Sequence, residues 1–253
     1  MTEASPSRST GDVTQNQFQR RRMCEPQDPP FTTDEHSLVD VRDMIVVHTA
    51  MLREFRLAPA SVARIPAGAH RAARRVDAHL GLLCELLHYH HAGEDELLWP
   101  PLRSLLNAHG QACLDAAEAQ HSGIDAALRV VGLARHRWIE VGDNTTRDEL
   151  ITALRYLHWL LVLHLDTEER DLLPLAAAHL TPGQWAAVGE AGAVSIPKSK
   201  MLLVFGMLAY EGDPDILTAM LHPAPPPARA IVPLLAPRIY ARYAKRIHGT
   251  PRP

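Results

Sequence analysis

Apolar residues recur at intervals of three and four along most of this chain, and the two longest such stripes are interrupted by ionisable residues. Leu80, Leu83 and Leu87 lead to His90, Glu94 and Leu97; Leu150, Leu154, Leu157 and Leu161 lead to His164, Glu168 and Leu172. Spacing of this kind puts residues on one side of an α-helix. Imidazoles and carboxylates therefore stand where leucine is expected. Period-two alternation and β-branched runs are absent, which argues against a sheet protein. A first helix, carrying His48, is predicted from a capping box at Thr32-Thr33-Asp34-Glu35 to about Leu57, ahead of Pro59. A second starts near residues 67–69 and is interrupted by Pro100 and Pro101; a third runs from Gln111 to about Val141. The fourth follows the Gly142-Asp143-Asn144 turn, with Thr146 and Glu149 as a further capping box.

The second and fourth helices match in register: His90 with His164, Glu94 with Glu168, Asp95 with Glu169, Leu98 with Leu172 and Pro100 with Pro174. His48 precedes His90 by 42 residues and His121 precedes His164 by 43, so a helical pair is used twice. The expected fold is all-α, an up-down four-helix bundle over residues 32–180, with a disordered tail at 1–31 and a Pro-rich helical extension at 181–253. Thr181-Pro182-Gly183-Gln184 and Asp213-Pro214 start short helices there, while the prolines between Pro223 and Pro237 argue against a long one. Residues 238–252 are basic and amphipathic, and docking onto the bundle is expected in preference to a membrane surface or a partner.

Composition narrows the function classes. A formal net charge of -3 with dispersed charges offers no field that requires nucleic acid or an anionic membrane. No apolar run reaches the roughly 20 residues of a transmembrane helix. Cys24, Cys84 and Cys113 have no paired or metal-ligand spacing, which fits a cytoplasmic location. A protein partner is not legible.

Residues four apart on a helix differ by about 40° and about 6 Å along the axis. His90 and Glu94 thus face one small volume, as do His164 and Glu168. With His48 and His121 they make four imidazoles and two carboxylates able to bridge, enough to occupy most of the coordination of two metals and leave room for an exogenous ligand. Unpaired, these groups would each cost several kcal/mol in a core. His91 and Asp95 form a second i, i+4 pair rotated by about 100°, so His91 is a candidate additional ligand or belongs in the second shell. Donors without thiolate suit iron and also tolerate manganese or zinc.

The arrangement of a lone His48, then His90-His91-Ala92-Gly93-Glu94-Asp95 with Leu98-Trp99-Pro100, a lone His121, then His164-Leu165-Asp166-Thr167-Glu168-Glu169 with Leu172-Leu173-Pro174, resembles the hemerythrin-like HHE cation-binding family over residues 34–178. The extension from Thr181 is similar to that of actinobacterial relatives. The resemblance implies two non-haem iron ions, oxo- or hydroxo-bridged, inside the bundle. It further implies handling of, or response to, O2, H2O2 or NO, with catalase-like peroxide chemistry as one form. Reversible oxygen binding, iron sensing or iron holding is the non-enzymatic alternative. Two departures bear on this choice: Asp125 stands four after His121 where oxygen carriers have a second His, and HxxxE replaces HxxxxD in the fourth helix. Asp125 is therefore a candidate further ligand, one that would favour redox reactivity over reversible oxygenation.

Overall fold

The structure, a computed structural model, describes residues 38–253. The tail at 1–31, the Thr32 capping box and Cys24 lie outside the described residues. Four long helices form the bundle: α1 (Arg42–Ala63), α2 (His70–Gly93), α4 (Ala108–Val141) and α5 (Asn144–Thr167). Short α3 (Trp99–Leu105) and α6 (Leu173–His179) prolong α2 and α5. The extension adds α7 (Pro182–Ser195), α8 (Met201–Leu208), α9 (Pro214–Met220) and α10 (Pro226–Ile247). Among the described residues there is no strand.

Local chemistry sets most boundaries. Asn107 caps α4 by accepting the Gly110 N–H. Gly142 ends that helix at φ 70°, a left-handed conformation that glycine adopts without a Cβ clash. Asp143 then caps α5, accepting the Thr146 N–H at 2.8 Å. The fourth helix therefore begins before Thr146, because the Asp143 carboxylate captures the free amide that the Thr146–Glu149 box was expected to hold. Thr181 and Gln184 form the expected capping box of α7, and Asp213 caps α9.

Prolines break fewer helices than their positions suggest. α1 continues through Pro59 to Ala63, since Phe55, Ala58 and Val62 are buried on either side of the one lost hydrogen bond. Pro100 and Pro101 do not stop the second helix. It passes through a π turn at Glu94–Leu98 into α3, and α5 passes through a matching π turn at Glu168–Leu172 into α6, with Pro174 at its start. Widening the turn takes up the missing proline donor, and such turns concentrate at functional sites. It also shifts the helical phase, so that Leu98 is buried and Leu97 exposed, the reverse of the regular stripe. In the extension, α10 is continuous through Pro233 and Pro237 because Ala236, Tyr240, Ala244 and Ile247 are clamped in the interior. Gly206 of α8 makes this approach feasible: a Cβ there would lie 2.3 Å from the Ala236 carbonyl.

The extension docks onto the bundle. Trp185 of α7 donates to Asp43 on α1, and Leu203, Val204, Met207 and Tyr240 belong to the main core cluster with Phe55, Leu80 and Leu154. A second apolar cluster gathers Leu98, Trp99, Leu102, Leu114, Leu172, Leu173 and Trp185. Along α1, α4 and α5 one buried histidine separates the two clusters: His48 between Met44 and Met51, His121 between Ala117 and Ile124, and His164 between Leu161 and Leu172.

Candidate metal centre

Where the two apolar clusters meet, the four helices bring together His48, His90, His91, Glu94, His121, His164 and Glu168. The side-chain donors fall into two groups, His91, Glu94, His121 and His164 in one and His48, His90, Glu94 and Glu168 in the other, each with ligand atoms within 4.8 Å of one another. Glu94 belongs to both. Its Oε1 lies 3.1 Å from His90 Nε2 and its Oε2 lies 3.4 Å from His121 Nε2. Glu168 Oε2 stands 3.7 Å from His48 Nε2 and 3.6 Å from His164 Nε2.

The repeat is visible in the outer contacts as well, but crossed between halves. His48 Nδ1 donates to Glu169 at 2.9 Å, and His121 Nδ1 donates to Asp95 at 2.8 Å. Each lone histidine is thus held by the carboxylate that follows the glutamate of the other half. A carboxylate acceptor fixes the proton on Nδ1 and turns the Nε2 lone pair inward. Gln120 Oε1 does the same for His164 Nδ1 at 3.1 Å, which aims His164 Nε2 at His121 Nε2, 3.1 Å away.

His91 is not a peripheral residue. It is 2% exposed, stacks on His121 at 4.1 Å between ring centroids, and meets His164 edge-on at 5.1 Å. Consecutive residues of one helix both reach the centre because it comprises two donor groups side by side, His90 belonging to one and His91 to the other. Asp125 is half-buried and stands outside both groups; Ile124 takes the inward position on that turn of α4.

Burial dominates the electrostatics. It pushes His90, His91 and His164 well below the usual imidazole range, which keeps them neutral. Burial also raises Glu94, and raises Glu168 to about 8 with the Glu94 charge adding to the effect. At His121 burial opposes the charge, but Glu94 and Asp95 outweigh it and carry the imidazole up to about 9. Even so, His48 Nε2, His90 Nε2, both ring nitrogens of His91 and all four oxygens of Glu94 and Glu168 are buried without a hydrogen-bond partner. Groups left this way cost about 1–3 kcal/mol each, and in a native core they call for an ion. The donor set fits cations: imidazole nitrogens and carboxyl oxygens facing one volume, with His90, His91 and His164 kept neutral by burial.

Sequence reasoning left His91 between additional ligand and second shell, because no periodic signal turns it inward; the structure groups it with Glu94, His121 and His164. Sequence reasoning missed a second buried cluster of Glu54, His79 and His248. Glu54 follows His48 and Met51 at steps of three on the buried face of α1, a signal of the same kind as that of Glu94. His248, at the far end of the chain, had none.

Comparison with curated proteins and with solved structures returns no significant match. The family described as the Hemerythrin HHE cation binding domain matches residues 39–176, a span that contains every residue of the centre and more than half of the chain. With its helical bundle, its repeated His and Glu positions and this match, the chain belongs to the hemerythrin HHE cation-binding family.

Proposed function

We propose that the bundle holds two non-haem iron ions through His48, His90, Glu94, His121, His164 and Glu168, with His91 as a further ligand, and that the protein handles or responds to O2, H2O2 or NO at that centre. The observation that carries the reading is the convergence of buried, unpartnered donors into two groups sharing Glu94. A carboxylate common to both would be shared by a metal pair held there. Nitrogen and oxygen donors without thiolate suit iron, with manganese and zinc as alternatives that elemental analysis separates. When bound, such a pair supplies one-electron redox chemistry and polarises a small ligand.

The chain's own contribution is positional. Asp95 and Glu169 hold His121 and His48 in orientation. Leu87 and Leu161 on one side and Leu98 and Leu172 on the other, all 0% exposed, close the centre to bulk water. Cys84 has no part in this reading: burial pushes its thiol up, away from the reactive thiolate.

Reversible gas binding or iron holding is the second reading. One observation favours it, namely that His91 supplies an imidazole where Asp125 departs from the oxygen-carrier pattern. The experiment is elemental analysis of aerobically purified protein, followed by optical spectra of the reduced form exposed to O2, H2O2 and NO. Two equivalents of iron and rapid consumption of peroxide support redox chemistry. Repeated, fully reversible oxygenation assigns the carrier role, and absence of iron overturns both.

A further inference from the structure

Glu54, His79 and His248 meet in a buried cluster away from the centre, on α1, on α2 and just beyond α10. His79 lies 11 residues before His90, about 16 Å along the helix axis. The three side chains are almost fully enclosed: His79 is 0% exposed, Glu54 1% and His248 7%. Their contacts divide into an inner and an outer set. On the outside, His248 Nδ1 pairs with Ser61 Oγ at 2.9 Å, and His79 Nδ1 with the Tyr243 hydroxyl at 3.3 Å. Glu54 Oε1 accepts from Arg53 Nε, from Arg53 Nη2 and from the Tyr240 hydroxyl. On the inside, His79 Nε2 and His248 Nε2 both face the remaining oxygen, Glu54 Oε2, at 3.3 and 3.1 Å.

A hydrogen-bond network accounts for only part of this. His248 Nε2 donates to Glu54 Oε2, whereas His79 Nε2, 3.3 Å from the same oxygen and buried, is in ion-pair contact without an aligned hydrogen bond. Imidazoles fixed through Nδ1 by hydroxyls, with Nε2 turned to one carboxylate oxygen, have the arrangement in which outer partners orient metal ligands. The 3.3 Å separation matches the edge of a tetrahedron whose bonds are about 2.0–2.1 Å long, and the 3.1 Å separation falls slightly short of it. Arg53 is the neighbouring positive charge, and it is balanced by Glu54 on one side and Glu211 on the other.

We propose that Glu54, His79 and His248 form a third cation site, of the class that binds Zn2+, which fastens the C-terminal segment to the bundle. Two imidazoles and one carboxylate supply three of four tetrahedral positions, leaving the fourth for water. The site crosses the boundary between bundle and extension, so its occupancy stabilises docking of α10. It stands independently of the metal chosen for the main centre.

The test titrates the chelator-stripped full chain with Zn2+ alone and counts bound equivalents after desalting, for the natural chain, His79→Gln and His248→Gln. Glutamine keeps hydrogen-bonding capacity but is a poor zinc ligand. The expected result is one equivalent fewer in each variant, with unchanged far-ultraviolet circular dichroism. Zn2+ should also slow hydrogen exchange across residues 226–247 at least tenfold in the natural chain, and not in the variants. Equal stoichiometry in all three chains overturns the site. Should the variants not fold, anomalous scattering at the zinc edge from crystals of the Zn2+-loaded natural chain decides. A peak beside Glu54 Oε2 upholds the site, and its absence there overturns it.

Discussion

In the first half of the bundle His91 follows His90; in the second half Leu165 follows His164. Both following residues are buried, His91 at 2% and Leu165 at 0%, so the same place in the same architecture delivers an imidazole to the centre on one side and packs the core on the other. Around them the halves agree closely. Each has a π turn that begins at its glutamate, and each lends a carboxylate, Asp95 or Glu169, to the lone histidine of the other. Duplication thus explains the frame of the centre, and one position makes its two sides chemically unequal: the group containing His91 holds three imidazoles and one carboxylate, the other two of each.

Breaking the frame should have the largest effect. Glu94 serves both groups and Glu168 one, so Glu94→Ala is expected to reduce bound metal from two equivalents to one or none, while Glu168→Ala loses at most one. Elemental analysis of the two variants checks this, and equal losses would mean that the two carboxylates are equivalent. His91→Leu makes the halves alike. It should weaken one metal at least about tenfold and leave the other nearly unchanged; a competition titration against a chelator resolves the two sites. Uniform weakening would place His91 outside the coordination of either metal.

Asp95→Asn and Glu169→Gln probe the crossed contacts, and each should cost about 10- to 100-fold in metal affinity. The symmetric geometry predicts similar losses at opposite metals. Protons sharpen the same picture. In the metal-free centre His121 and Glu168 hold their protons up to about pH 9 and about pH 8, and metal binding must displace them. Loading at pH 7 should therefore release protons into weakly buffered solution, and apparent affinity should fall as pH drops from 9 towards 6. The smallest effect is expected from Asp125→Ala, alone or combined with alanine at Cys24, Cys84 and Cys113: full metal content and unchanged peroxide response. Loss of metal on changing Asp125 would restore it to the site.

Leucine stripes carrying His90, Glu94, His164 and Glu168 were enough, as sequence, to predict helices, a duplicated hairpin and the inward direction of those side chains. A 3.6-residue period specifies which side of a helix is buried, and a polar residue in that stripe stands out. The capping residues Thr181 and Asp213 were readable because their chemistry is local. Prolines misled the same reading at Pro59, Pro100, Pro233 and Pro237, since a lost hydrogen bond is a local cost that burial on both sides can offset. Tertiary structure alone decided three things: that the π turn at Glu94 buries Leu98 in place of Leu97, that two adjoining donor groups take in His91 as well as His90, and that His248 returns to meet Glu54 and His79. Each depends on the distance between helices far apart in the chain, a quantity that periodicity within one helix does not contain.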